Sequence, residues 1–191
     1  MKVRDLALMA LFIVLITLGT FIRIPLPLCP VNLQPFFVIL AGLMLGGKRG
    51  AFSVSGYVLL GLTGMPVFTY GGGISYVLRP TFGFMLGYII AAFIIGSISS
   101  SGKTTVLRFA VAGLCGVAAI YAVGVTYYLL ISKFYLQSGI GVWTMLVSCC
   151  LPLPKDIVLC IPAAILAKRL LPIIKSTENK KQVKIKEDKN V

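Results

Sequence analysis

Between Asp5 and Glu178 the chain carries a single carboxylate, Asp156, and its 191 residues include no histidine. That scarcity decides the solvent. Soluble domains carry about 25% charged residues, whereas here charged residues make up 12% and hydrophobic ones 58%. An isolated charge near the centre of a bilayer costs roughly 3 kcal/mol even on lenient insertion scales, so carboxylates vanish where lipid replaces water. The same inventory leaves no carboxylate pair and no Ser-His-Asp or Cys-His arrangement, so an enzyme is not expected. Five cysteines without C-x-x-C spacing, and no histidine to join them, predict neither a metal nor a cofactor.

The stretch Gly61–Gly87, GLTGMPVFTYGGGISYVLRPTFGFMLG, interrupts the apolar runs. It holds seven of the twenty glycines, two prolines, two tyrosines, three phenylalanines and Arg79. Lipid does not tolerate such a segment, because broken backbone exposes N–H and C=O groups that hydrocarbon cannot satisfy. A solvated loop would be more polar. The composition therefore predicts irregular backbone folded into protein at membrane depth, forming one wall of a cavity.

Around it lie six predicted spans, at about Leu6–Ile22, Leu33–Gly47, Gly50–Gly64, Thr81–Ile98, Val106–Ile131 and Lys155–Leu171. A half-length apolar run, Val142–Leu151, precedes the last. The first run has no small-x-small cleavage site after it and is kept as a span. RIPLPLCPVN at 23–32 has three prolines and is expected to be extended. The second and third spans, near fifteen residues each, reach roughly 22 Å and fall short of a 30 Å hydrocarbon core. Within the fifth, Ala112-xxx-Gly116 and Ala118-xxx-Ala122 offer small residues for close helix approach. The expected fold is an all-α membrane protein of six transmembrane helices, with a re-entrant glycine-rich loop between helices 3 and 4. Its domain is 1–171, followed by a polybasic tail at 172–191 that is expected to be disordered.

Basic residues orient it. With the N-terminus inside, fourteen lysines and arginines fall on the cytoplasmic side and four (Arg23, Arg79, Lys133, Lys155) on the outer side. Both termini are therefore expected in the cytoplasm, with the glycine-rich stretch opening outward. The net charge of +13 follows topology and forms no stripe for nucleic acid. GSISSSGKTT at 96–105 imitates a phosphate loop, but five residues separate Gly96 from Gly102 where the motif needs four, so no ATP site is expected in this chain.

Asp156 follows Pro154 at the start of the last helix. It is either a carboxylate satisfying free N–H groups at a helix N-terminus or a ligand-facing acceptor. Arg79 either reaches toward the outer interface, or pairs with Asp156, or holds a ligand carboxylate. Asn32 and Gln34 either cap the second helix or close over a ligand. Tyr70, Tyr76, Phe68 and Trp143 supply rings to pack a small ligand, or for an interfacial aromatic belt.

Together, VNLQPFFVILAGLMLGGKRG, YVLLGLTGMPVF followed by GGG, RPTFGFMLGYI and LPLPKDIVLCIPAAILAKRL resemble the BioY family, the biotin-specific substrate-binding (S) components of energy-coupling-factor transporters. The resemblance covers about residues 5–171. It implies a biotin pocket near the outer face and high-affinity uptake across the cell membrane. It also implies partnership with a transmembrane coupling protein and two ATPase subunits that use ATP on the chain's behalf. Asp156 matches the acidic residue that contacts ligand, and Arg79 lies where a basic partner for the valerate carboxylate is supplied. Gly72, Gly73, Tyr70 and Tyr76 belong to the matching glycine-rich block. Leu159 stands where the family commonly has lysine, which turns carboxylate recognition toward Arg79 or Lys155. Ala7 and Ala10 stand three apart where the family's first helix usually carries small residues four apart for docking the coupling protein. The alternatives are an S component for another small vitamin, and a membrane assembly protein that transports nothing.

Overall fold

The computed structural model describes residues 3–24, 31–102, 104–134 and 142–187. Among them the chain forms helices α1 (Val3–Phe21), α2 (Gln34–Leu45), α3 (Gly47–Leu62), α4 (Phe82–Ser100), α5 (Val106–Phe134), α6 (Val142–Cys150) and α7 (Leu153–Glu187), with a 3-10 turn at Ile74–Leu78. Two-residue strands β1 (Arg23–Ile24) and β2 (Val31–Asn32) pair antiparallel, Arg23 opposite Asn32. Extended chain was expected around these prolines; residues 25–30, with Cys29, lie outside the described residues. So do Lys103 and residues 135–141 of the loop before α6. Val3–Phe21, Phe82–Ser100, Val106–Phe134 and the stretch Trp143–Pro172 are each long and apolar enough to cross a membrane.

α2 and α3 are short, at 12 and 16 residues, or about 18 and 24 Å. One residue separates them. Gly46 has φ 80°, a left-handed conformation open to glycine without strain, and there the chain turns back on itself. Gly50 then packs so close to Gly42 that a methyl group on it would lie 3.1 Å from the Gly42 Cα. The turn sets α2 and α3 side by side, with their far ends toward the Asn32 and Phe68 end of the bundle.

Between helices that share an apolar solvent, association rests on close van der Waals packing, and small residues make it possible. The α4–α5 interface is the most extensive in the bundle. At its crossing, a Cβ on Gly87 would stand 2.9 Å from the Ile120 carbonyl oxygen. Ala112 and Gly116 are buried on α5 as their spacing predicted, Gly116 directly under Ile95. Ala118 and Ala122 are exposed, so that second pair of small residues faces away from the core. Spacing places both pairs on faces of a helix; it does not say which face meets a neighbour. α1 is fastened at both ends. Asp5, 3% exposed, pairs with Arg49 at 3.2 Å, and Thr20 Oγ1 lies 3.2 Å from the Tyr57 hydroxyl.

α7 departs from expectation. It does not end at Pro172 in a disordered tail but continues to Glu187, 35 residues in all. Proline removes one backbone hydrogen bond and kinks a helix, yet the lysine- and glutamate-containing sequence beyond it has good helix propensity. Residues 188–191 lie outside the described set. In the same way Gly96–Ser100, the first half of the false phosphate loop, forms the last turn of α4.

The segment between α3 and α4 is irregular, and its backbone is satisfied from within. Phe68 and Gly71 exchange hydrogen bonds at 3.0 and 3.2 Å, and Gly73 N–H donates to the Gly61 carbonyl at 2.7 Å. Tyrosine hydroxyls from α3 and α5 serve two more carbonyls, Tyr57 that of Val67 and Tyr127 that of Val77. Phe68, 1% exposed, is seated against Gly61, with its ring 5.5 Å from Tyr57 and 4.6 Å from Tyr76. Gly72 approaches the Met65 carbonyl too closely for any side chain.

Candidate functional site

The irregular segment, the start of α2, the start of α7 and the facing sides of α4 and α5 line a cleft that is partly open to solvent. Its charged pair comes from α7. Pro154 opens the helix, where its missing N–H costs nothing. Lys155 and Asp156 follow in the first turn, and Asp156 is 3% exposed. The Tyr121 hydroxyl of α5 donates to Asp156 Oδ2 at 2.8 Å, and Lys155 Nζ lies 2.7 Å from Oδ1. The ammonium of Lys155 also donates to the Asn32 carbonyl. One lysine thereby ties the β1–β2 hairpin to α7.

Opposite stand the amides. Asn32 Oδ1 accepts from the Gln34 backbone N–H at 3.3 Å, and its Nδ2 donates to Gln34 Oε1 at 3.4 Å. Asn32 thus serves the start of α2 while also lining the cleft. Among the described residues, Gln34 Nε2, the Tyr76 hydroxyl and Thr81 Oγ1 are buried with no hydrogen-bond partner, and all three residues face the same space. Leaving such a group unsatisfied costs about 1–3 kcal/mol, which a ligand with matching donors and acceptors would recover. Phe84, Met85, Ile120 and Pro152 give the cleft apolar walls. A buried acceptor, unsatisfied polar groups and apolar walls together suit recognition of a small ligand with both polar and apolar parts.

The model of the BioY family matches residues 1–176. This chain belongs to the BioY family. It is 41% identical over 186 residues to the probable biotin transporter BioY of Lysinibacillus sphaericus, covering 96% of this chain and 95% of that one. It is 37% identical over 171 residues to the probable biotin transporter BioY of Pyrococcus horikoshii, covering 89% and 98%. Among solved structures, the crystal structure at 2.1 Å of the S-component for biotin from an ECF-type ABC transporter is similar with a TM-score of 0.77. That match has 27% identity and spans 88% of this chain and 91% of the other. Membership in a transporter family, with four apolar helices of spanning length, makes this BioY protein a multi-pass membrane protein.

Five residues singled out in the sequence of this BioY protein meet in the cleft: Asp156, Lys155, Asn32, Gln34 and Tyr76. The others stand outside its lining. Arg79 does not pair with Asp156; its guanidinium lies over the rings of Tyr70 and Tyr76, at 5.2 and 5.6 Å. Tyr70 is 43% exposed, and Gly72 and Gly73 shape the segment behind the wall. Ala7 and Ala10 are exposed on α1. Leu159 does not line the cleft. Sequence reasoning missed Thr69, Thr81, Tyr88 and Tyr121. Tyr121 alone left a trace: a polar ring in the middle of the longest apolar helix, which needs a partner for its hydroxyl.

Proposed function

We propose that this chain is the biotin-binding S component of an ECF-type transporter, taking biotin from outside the cell for inward delivery. The observation that carries the reading is Asp156, buried between Tyr121 and Lys155 at the wall of a cleft that also holds three unsatisfied polar groups. Biotin's ureido ring offers N–H donors to Asp156 and a carbonyl to the Gln34 amide. Its fused rings suit Phe84, Met85 and Ile120. Because Lys155 is engaged by Asp156 and Asn32, the valerate carboxylate falls to Arg79 at the rim.

In this reading six segments cross the membrane, α2 and α3 as a short pair, with α6 and the start of α7 sharing the last crossing. The Gly61–Gly87 stretch re-enters at membrane depth and the cleft opens outward. Both termini lie in the cytoplasm, as the positive-inside bias requires. Ala7 and Ala10 lie on a face of α1 open to a transmembrane coupling protein, and two ATPase subunits supply the ATP hydrolysis. The chain is not an enzyme and holds no cofactor of its own.

Binding of labelled biotin to the purified chain tests the reading. Saturable binding displaced by biotin, and not by other vitamins, is expected. Displacement by a different vitamin would reassign the ligand, and no saturable binding of any vitamin would overturn the transport reading.

A further inference from the structure

Two arginines from separate elements converge on one ring. The guanidinium carbons of Arg23, in β1, and Arg79, at the end of the 3-10 turn, lie 5.7 and 5.2 Å from the centre of Tyr70. Cations gather over an aromatic face because its quadrupole attracts them, but the ring carries no net charge to cancel theirs. Neither arginine has an ion-pair partner among the described residues. Asp5 is committed to Arg49 and Asp156 to Lys155. The result is an exposed, uncompensated double positive charge.

Its position gives it a role. Arg23 pairs in the hairpin with Asn32, Tyr70 follows Thr69 in the chain, and Arg79 also covers Tyr76. Asn32, Thr69 and Tyr76 all line the cleft, so the group borders the cleft's rim. Within the cleft, Lys155 and Asp156 balance each other. The unbalanced field is therefore met before the cleft is entered, and a localised field of one sign raises the rate at which opposite charges arrive.

We propose that Arg23 and Arg79, held together by the Tyr70 ring, form an oxyanion-capture site that sets the association rate of a carboxylate ligand. Arg23 is the new element: it acts on arrival and makes no contact within the cleft. The proposal rests on the biotin reading for the identity of the ligand. The alternative source of the same chemistry is a lipid phosphate.

Stopped-flow fluorescence of the detergent-solubilised full chain separates these cases, using biotin and its uncharged amide. Arg23→Gln is expected to slow biotin association about three- to tenfold at low salt, and Arg23→Glu more, with dissociation unchanged. The difference should shrink at ~1 M salt, where the Debye length is about 3 Å. The amide should associate equally with all variants. Equal biotin rates in wild type and Arg23→Gln would overturn the capture site alone. So would equal slowing of the amide. Slowing that requires added phosphatidylglycerol, and disappears in Arg23→Gln, would assign the pair to lipid and likewise overturn it. If the wild type binds no biotin at all, the functional reading fails and the capture site with it.

Discussion

Replacing Asp156 with asparagine removes a charge without changing shape, and the geometry says how much binding should suffer. A carboxylate offers about four acceptor positions. Tyr121 occupies one on Oδ2 at 2.8 Å, and Lys155 one on Oδ1 at 2.7 Å. In the proposed function, those left accept from ligand N–H groups. In Asp156→Asn one oxygen remains, and if Tyr121 keeps it, the new amide N–H2 is turned toward the Lys155 ammonium, donor against donor. The ligand loses at least one hydrogen bond to a charged acceptor, worth about 1.5–3 kcal/mol, so the Kd should rise roughly 10- to 150-fold. Tyr121→Phe removes a donor from the same carboxylate but leaves its charge and the ligand's own hydrogen bonds in place, and should cost less than Asp156→Asn. Isothermal titration of both variants with biotin, each first checked for a cooperative thermal transition, measures the two losses. An Asp156→Asn protein that folds and binds within about twofold of wild type would refute the assignment of Asp156 as acceptor. A larger loss in Tyr121→Phe would show that orientation, and not charge, dominates.

Other consequences can be checked separately. Lys155→Met cuts the link between the hairpin and α7, so biotin should dissociate about tenfold faster, by the worth of a hydrogen bond to a charged group; an unchanged off-rate would separate the hairpin from ligand retention. Gly61→Ala places a methyl group inside the Phe68 ring's position and should destabilise the protein by about 1–3 kcal/mol, read as a lowered Tm, while Gly64→Ala, where nothing stands within 4 Å, should be affected only through its positive φ. Tyr127→Phe leaves the Val77 carbonyl without its donor and should lower the Tm by an amount matching about 1–3 kcal/mol; no shift would mean that water reaches that carbonyl.

Much of the cleft was legible because membranes make polar residues expensive. Asp156 stands out in a chain that avoids carboxylates, and Asn32, Gln34 and Tyr76 stand at breaks between apolar runs. What joins them is distant in sequence and leaves little local trace. Thr81 reads as a helix start, and only the folded chain turns its hydroxyl toward Gln34's cleft. The sequence allows Arg79 as a partner for Asp156, but Lys155, adjacent in the chain, reaches that carboxylate, and Arg79 is drawn to Tyr70. The length of α7 was hidden by Pro172, a residue whose local cost the helix beyond it absorbs.

The seating of Phe68 has a thermodynamic consequence. Ordering a flexible loop costs about 1–2 kcal/mol per residue in backbone entropy, and a site that closes by ordering a loop loses that much from its affinity. Here the wall between α3 and α4 is already fixed by a phenylalanine lodged against Gly61, by exchanged backbone bonds and by two tyrosine hydroxyls from neighbouring helices. Its entropy is lost when the chain folds, not when the ligand arrives. Affinity on that side of the cleft then reflects contact chemistry alone, which is how a small molecule with few polar groups can be held tightly.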